Sequence, residues 1–183
     1  WPNSNEPQSA FDYVLYGKYE PSLRKGLILK LMQNIIRGRL LSVLREENSL
    51  VYSPYISLFY NAVPDNVFYF DINASVDRRN TAVVHAYLDN IIRELQEKKV
   101  SVKELETLKQ IFIVNKRNYL QNDATAGWKT YLVGQLKNNE SLSDLANYEE
   151  ILSSITPAEV RDAFRNLVNA DNHLLLSIGD FEL

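Results

Sequence analysis

From Val67 to Val76 apolar and polar residues alternate without a break. Phe68, Phe70, Ile72, Ala74 and Val76 share one face, and Tyr69, Asp71, Asn73 and Ser75 share the other. Successive side chains point to opposite sides of a strand, so a run of this kind can bury only one side. It predicts a half-buried β-strand, and a half-buried sheet needs a second layer to cover it. Phe11, Tyr13 and Leu15 alternate in the same way with Asp12, Val14 and Tyr16, which predicts a strand over Phe11–Tyr19 ended by Glu20-Pro21-Ser22. Tyr52–Tyr60 is rich in aromatic and β-branched residues, and Pro54 assigns it to a sheet edge or a bulge. Across the turn at 61–66 it forms a hairpin or meander with Val67–Val76.

Helical patterns supply the covering layer. Leu27, Ile28, Leu31, Met32 and Ile35 recur at helical spacing, Gly38 interrupts them, and a second piece, Arg39–Glu47, carries Leu40, Val43 and Leu44. Asn80–Lys98 is amphipathic, with a stripe of Val84, Leu88, Ile91, Ile92 and Leu95. Ser101-Val102-Lys103-Glu104 has the form of a capping box and opens a long helix with Leu105, Leu108, Ile111, Phe112 and Tyr119 on its apolar side. Further helices are predicted over Ala124–Leu136 and over Leu142–Leu152, separated by polar Asn138–Ser141. Thr156-Pro157-Ala158-Glu159 is a second capping box with proline at the first helical position, and its helix runs to about Val168. The turn Asn169–Asn172 then leads into a strand, His173–Ile178, before Gly179. The order of elements predicts an α+β domain: a mostly antiparallel sheet with helices packed on one face. Residues 1–10 read as a tail or linker and 11–183 as the single domain.

Composition narrows the function classes. Twenty basic and 23 acidic residues leave a formal charge of −3, without the basic stripe that nucleic acid requires. No apolar run is long enough to cross a bilayer, and the polar, turn-prone start Trp1–Pro7 does not read as a signal peptide. The chain has no cysteine, which removes disulfides, thiolate zinc ligands and cysteine nucleophiles together. Its two histidines, His85 and His173, lie 88 positions apart. Neither belongs to His-Glu-x-x-His or His-x-x-Glu-His, which need histidines one helical turn apart. Both read best as structural residues, His85 at the edge of the core on a helix and His173 at a strand start. No Gly-x-Ser-x-Gly and no phosphate-binding glycine loop occurs, and the carboxylate pairs Glu46-Glu47 and Glu149-Glu150 have the look of helix surface. The expectation is that the chain itself contains neither a metal site nor a catalytic residue.

One segment, Arg39–Ser53, places two donors near each other. Arg45 falls in the last turn of a predicted helix, where a cation complements the helix dipole. Tyr52 falls at the start of the predicted strand. A short connection brings a guanidinium and a phenol to one rim of the sheet, where they can donate to a peptide carbonyl or an oxyanion. Spacing alone favours the plainer reading of a surface arginine and a tyrosine packed at a strand end.

The segment Leu44-Arg45-Glu46…Leu50-Val51-Tyr52 resembles the Leu-Arg-Glu…Leu-x-Tyr signature of the zinc-less C-terminal domains of insulinase/pitrilysin-type zinc peptidases. Arg39-Leu40 resembles the Arg-Leu that precedes it in that family. Val100–Glu106 is similar to the family's link into its next helix, and Ile155-Thr156-Pro157-Ala158-Glu159-Val160 to its late helix start. The ordered set spans roughly residues 11–180. It departs from the family in having Asn34-Ile35-Ile36-Arg37-Gly38, with one glycine, where the family often has a glycine-rich turn before Arg-Leu, and in lacking the additional strands that usually precede Phe11. The resemblance implies a clam shell of homologous α+β domains, in which another domain binds zinc through His-x-x-Glu-His and this one closes over the peptide substrate. It implies substrate contacts for Arg45 and Tyr52, no metal in this domain, and zinc in a homologous domain of the same chain or of a partner subunit. Many bacterial relatives act in the cell envelope or periplasm, which is the compartment expected here. The family also contains inactive pairing subunits and structural parts of respiratory complexes, so a scaffolding role is the alternative. An unrelated α+β binding module would share the order of motifs without the placement of Arg45 and Tyr52.

Overall fold

In a computed structural model of the protein, the alternating run forms a strand, β3 (Val67–Asp77). The structure describes residues 8–62, 64–122, 124–138, 140–168 and 173–178. β3 pairs with β2 (Tyr55–Asn61) on one side and β1 (Gln8–Lys18) on the other, and β4 (His173–Ile178) pairs with β1. The order is β2-β3-β1-β4 and every pairing is antiparallel. The register sets Tyr13 opposite Ile72 and Leu175. Phe11, Tyr13, Leu15, Phe68, Phe70, Ile72 and Val76 are all buried, as their alternation requires. On the other face Tyr16, Phe59 and Tyr69 are exposed, and Phe59 stacks on Tyr69 with ring centroids 5.0 Å apart.

The covering layer begins with α1 (Leu23–Leu40), whose Leu27, Leu31, Met32 and Ile35 enter the core. Ser22 caps it, its Oγ accepting from the Lys25 amide at 3.2 Å. After β3 come α2 (Thr81–Glu97), α3 (Val102–Asn122), α4 (Ala124–Lys137), α5 (Leu142–Ala146), α6 (Tyr148–Ser154) and α7 (Pro157–Leu167). The stripe predicted for α2 is buried in full. α7 starts as its sequence dictates: Thr156 Oγ1 accepts from the Glu159 amide at 3.2 Å, and Glu159 accepts from the Thr156 amide at 2.9 Å. Glu159 also accepts from Arg24, which ties the start of α7 to the first turn of α1. This is the expected α+β domain with its helices on one face of an antiparallel sheet.

Six expectations are corrected. β1 starts at Gln8, so residues 8–10 of the predicted tail are strand, while residues 1–7, the turn at 169–172 and Gly179 lie outside the described residues. Gly38 does not break the first helix. A Cβ there would meet nothing within 4 Å, and the roughly 1 kcal/mol that glycine costs a helix is outweighed by burying Ile35, Ile36 and Leu40 around it. The second strand begins at Tyr55, after Pro54, so Tyr52 precedes it rather than opening it. On α3, Ile111 and Tyr119 are exposed, and the buried positions are Leu105, Lys109 and Ile113. An apolar pattern does not reveal Lys109. Its ammonium donates to Glu106 at 2.7 Å and to the Ser153 carbonyl at 2.8 Å, satisfying the end of α6. The helix predicted over 142–152 is two, α5 and α6, meeting at Asn147. The predicted box before α3 is present in part: Ser101 Oγ accepts from the Glu104 amide at 3.1 Å, while the Glu104 carboxylate accepts from Arg39 at 2.9 Å.

Candidate functional site

α1 continues into a π-helical segment, Leu41–Glu47, whose last turn carries Arg45. Such wide turns are uncommon and are frequent at functional sites. The chain leaves it through Ser49, which adopts φ 52°, the left-handed region that a serine enters at a cost. The Ser49 amide donates to the Arg45 carbonyl at 3.1 Å and the Leu50 amide to the Leu44 carbonyl at 2.8 Å, satisfying groups that the helix end would otherwise orphan. Asn48 fastens the turn from both sides. Its Nδ2 donates to the Val43 carbonyl at 2.7 Å, and its Oδ1 accepts from Tyr87 of α2 at 3.0 Å. Val51 is buried and bridges Val76 at the end of β3, so the next residue, Tyr52, projects outward and is 82% exposed.

The result is a guanidinium facing a phenol ring, with Arg45 Cζ 5.7 Å from the Tyr52 centroid. At an exposed site such a cation–π contact is worth about 0.5–1 kcal/mol. The pair borders a cleft of about 700 Å3 whose far wall is Ser75, Asp77 and Asn80. Asp77 is held by Arg79, which donates from Nη2 at 2.7 Å, from Nε at 3.0 Å and from its backbone amide at 2.9 Å. Those bonds pull its carboxyl down to about 2. Among the described residues, Arg45 has no ion pair and the Tyr52 hydroxyl no hydrogen bond. Their donors are therefore available to a carbonyl or carboxylate entering the cleft.

The sequence brings Arg45 and Tyr52 to attention but not the features that hold them. The wall at Ser75–Asn80 meets the segment through the Val51–Val76 bridge, between residues 25 positions apart, and the Asn48 fastening needs Tyr87, 39 positions away. Asn48-Ser49 is the one local signal, since asparagine and serine favour turns.

The fold also joins the two histidines. His85 on α2 and His173 on β4 have ring centroids 5.8 Å apart, and Tyr13 touches both. The Tyr13 hydroxyl donates to Asp89 at 3.0 Å, and His85 Nε2 lies 3.7 Å from the other oxygen of that carboxylate. Burial, and then Asp89, raise the Tyr13 phenol far above its usual range. Among the described residues no three of His, Asp and Glu converge as a metal-holding group.

A family model described as the Peptidase M16 inactive domain matches residues 3–112, more than half of the chain and the part that contains Arg45 and Tyr52. The chain belongs to this family. Solved structures agree with the M16 fold. The periplasmic protease PqqL from Escherichia coli has a TM-score of 0.79 at 15% identity, over 96% of this chain and 19% of that one. The peptidase M16 inactive domain from Pseudomonas fluorescens has a TM-score of 0.72 at 20% identity, over 97% and 42%. A protease from Helicobacter pylori has a TM-score of 0.75 at 11% identity, over 96% and 42%. This M16 inactive domain thus spans about a fifth to two-fifths of those proteins. No curated protein sequence matches it.

Proposed function

We propose that this M16 inactive domain is the peptide-holding half of a zinc metallopeptidase, with Arg45 and Tyr52 as the side chains that grip the substrate. The observation that carries the reading is the pair itself: two donor side chains without polar partners among the described residues, with Arg45 Cζ 5.7 Å from the Tyr52 ring centroid at the mouth of a cleft. Arg45 would hold a peptide carbonyl or an acidic side chain, and Tyr52 would donate to the carbonyl that gains charge during hydrolysis. The metal and its water would come from a homologous domain in the same chain or in a partner subunit. An envelope location is supported by the relative described as periplasmic. Among the described residues no helix is long and apolar enough to cross a membrane.

The test uses the complete protein as it occurs in its source. Capture of the native polypeptide followed by mass spectrometry is expected to find His-x-x-Glu-His in the same chain or in a stoichiometric partner. In that assembly, Tyr52→Phe is expected to lower kcat by roughly 10²–10³, the effect of losing one oxyanion donor. A rise in KM alone would make Tyr52 a ground-state contact. An assembly without the motif, or kinetics indifferent to Tyr52→Phe and Arg45→Met, would replace this reading with a pairing or scaffolding role.

A further inference from the structure

On the helical layer, a second cleft of about 640 Å3 opens between α1, α3, α4 and α6 and shares no lining residue with the first. A volume in this range suits a small organic ligand. Of its ten lining residues four are aromatic, four carry neutral amides and two are lysines; none is acidic. Lys116 Nζ sits 3.8 Å from the Tyr148 ring centroid and 5.5 Å from that of Tyr131. Lys30 lines the same cleft from α1. Both lysines thus border the one cleft, Lys116 over Tyr148 and Tyr131 and Lys30 with its ammonium 5.8 Å from the Tyr60 ring centroid. Two acids lie nearby, Glu149 beside Lys116 and Glu140 beside Lys30. Glu149 is occupied by Arg117, at 2.9 Å from Nε and 2.5 Å from Nη2. Glu140 is desolvated, which raises its carboxyl to about 7, and its Oε1 is buried without a partner. The side-chain amides of Asn115 and Asn118 have no hydrogen bond among the described residues and line the same cleft.

We infer that this cleft binds an aromatic carboxylate, its ring against Phe112, Tyr119 and Tyr131 and its carboxylate shared by Lys30, Lys116 and the asparagine amides. The chemistry selects the class. Aromatic walls favour a planar apolar group, and two cations with neutral donors favour an anion. A free aryl acid and the C-terminal aromatic residue of a peptide present the same groups. This inference is independent of the role given to Arg45 and Tyr52.

The complete protein is titrated with phenylacetate, N-acetylphenylalanine, N-acetylphenylalanine amide and phenethylamine, followed by calorimetry and by NMR of the cleft resonances. At least one of the two acids is expected to bind saturably, with the amide and the amine at least tenfold weaker. Lys30→Met is expected to weaken the acid about tenfold, the effect of losing one charge-assisted hydrogen bond. Asn118→Ala provides a second variant should a lysine prove necessary for folding, and is expected to weaken binding several-fold. Binding of phenylacetate but not N-acetylphenylalanine identifies a small-acid site, and the reverse a peptide C-terminus site. The inference is overturned if neither acid saturates, if the amide binds as well as the acid, or if neither Lys30→Met nor Asn118→Ala changes the affinity.

Discussion

Arg45 and Tyr52 face each other at 5.7 Å because the chain between them turns through a left-handed serine. The guanidinium ends a π-helical turn, the phenol follows the residue that bridges to β3, and Ser49 lies between. The placement of both donors depends on a backbone conformation that serine tolerates poorly.

Ser49 can be varied to separate fold from placement. A β-branched residue at φ 52° is strongly disfavoured, so Ser49→Val is expected to lower stability by about 1–3 kcal/mol and, under the proposed function, to raise KM in the assembled peptidase. Ser49→Gly should retain both. Urea unfolding read beside steady-state kinetics checks this, and equal stability of the two variants would show that the turn is not strained.

The cap of α7 is a purely local device. Thr156→Ala removes the acceptor for the Glu159 amide and is expected to cost about 1 kcal/mol. The denaturation midpoint reports it, and kinetics should be unaffected because the cap is remote from the Arg45–Tyr52 cleft.

Gly17 is required by close packing. A Cβ built there would lie 2.7 Å from the Leu167 carbonyl oxygen and 2.9 Å from the Phe68 ring, at the seam between β1 and the end of α7. Gly17→Ala is expected to cost about 1–3 kcal/mol, the range for overpacking. A thermal midpoint equal to that of the parent would rule out this contact as a constraint.

Glu140 makes stability depend on pH with a definite sign. Its ordinary value is 4.5; burial raises it to about 7, with Lys30 opposing and Asp144 adding to the rise. Between those values the folded state holds a proton that the unfolded state has released. Stability therefore falls as pH rises from about 4.5 to about 7 and this contribution is constant outside that window. Glu140→Gln is expected to flatten that part of the profile and to exceed the parent in stability near pH 8. Urea midpoints near pH 4 and near pH 8 test it, and parallel profiles for the two proteins would exclude Glu140 as the source.

Legibility follows the range of the interaction. The alternation in β3, the α2 stripe and the Thr156–Glu159 box are legible because each rests on neighbours a few positions away. The helix that runs through Gly38, the buried Lys109 and the late start of β2 are not, because distant contacts override local preference. Lys109 belongs in the core only because the Ser153 carbonyl, 44 positions away, is there to accept its proton.

The sequence by itself determined the class of fold, since its periodicities state which faces must leave water, and it determined that Arg45 and Tyr52 stand one short turn apart. The tertiary structure decided everything that needs two remote segments in contact: the bridge from Val51 to Val76 that turns Tyr52 outward, the meeting of His85 with His173, and the placing of Lys30 and Lys116 on the walls of one cleft. Burial and distance between such groups are properties of packing, which no local pattern encodes.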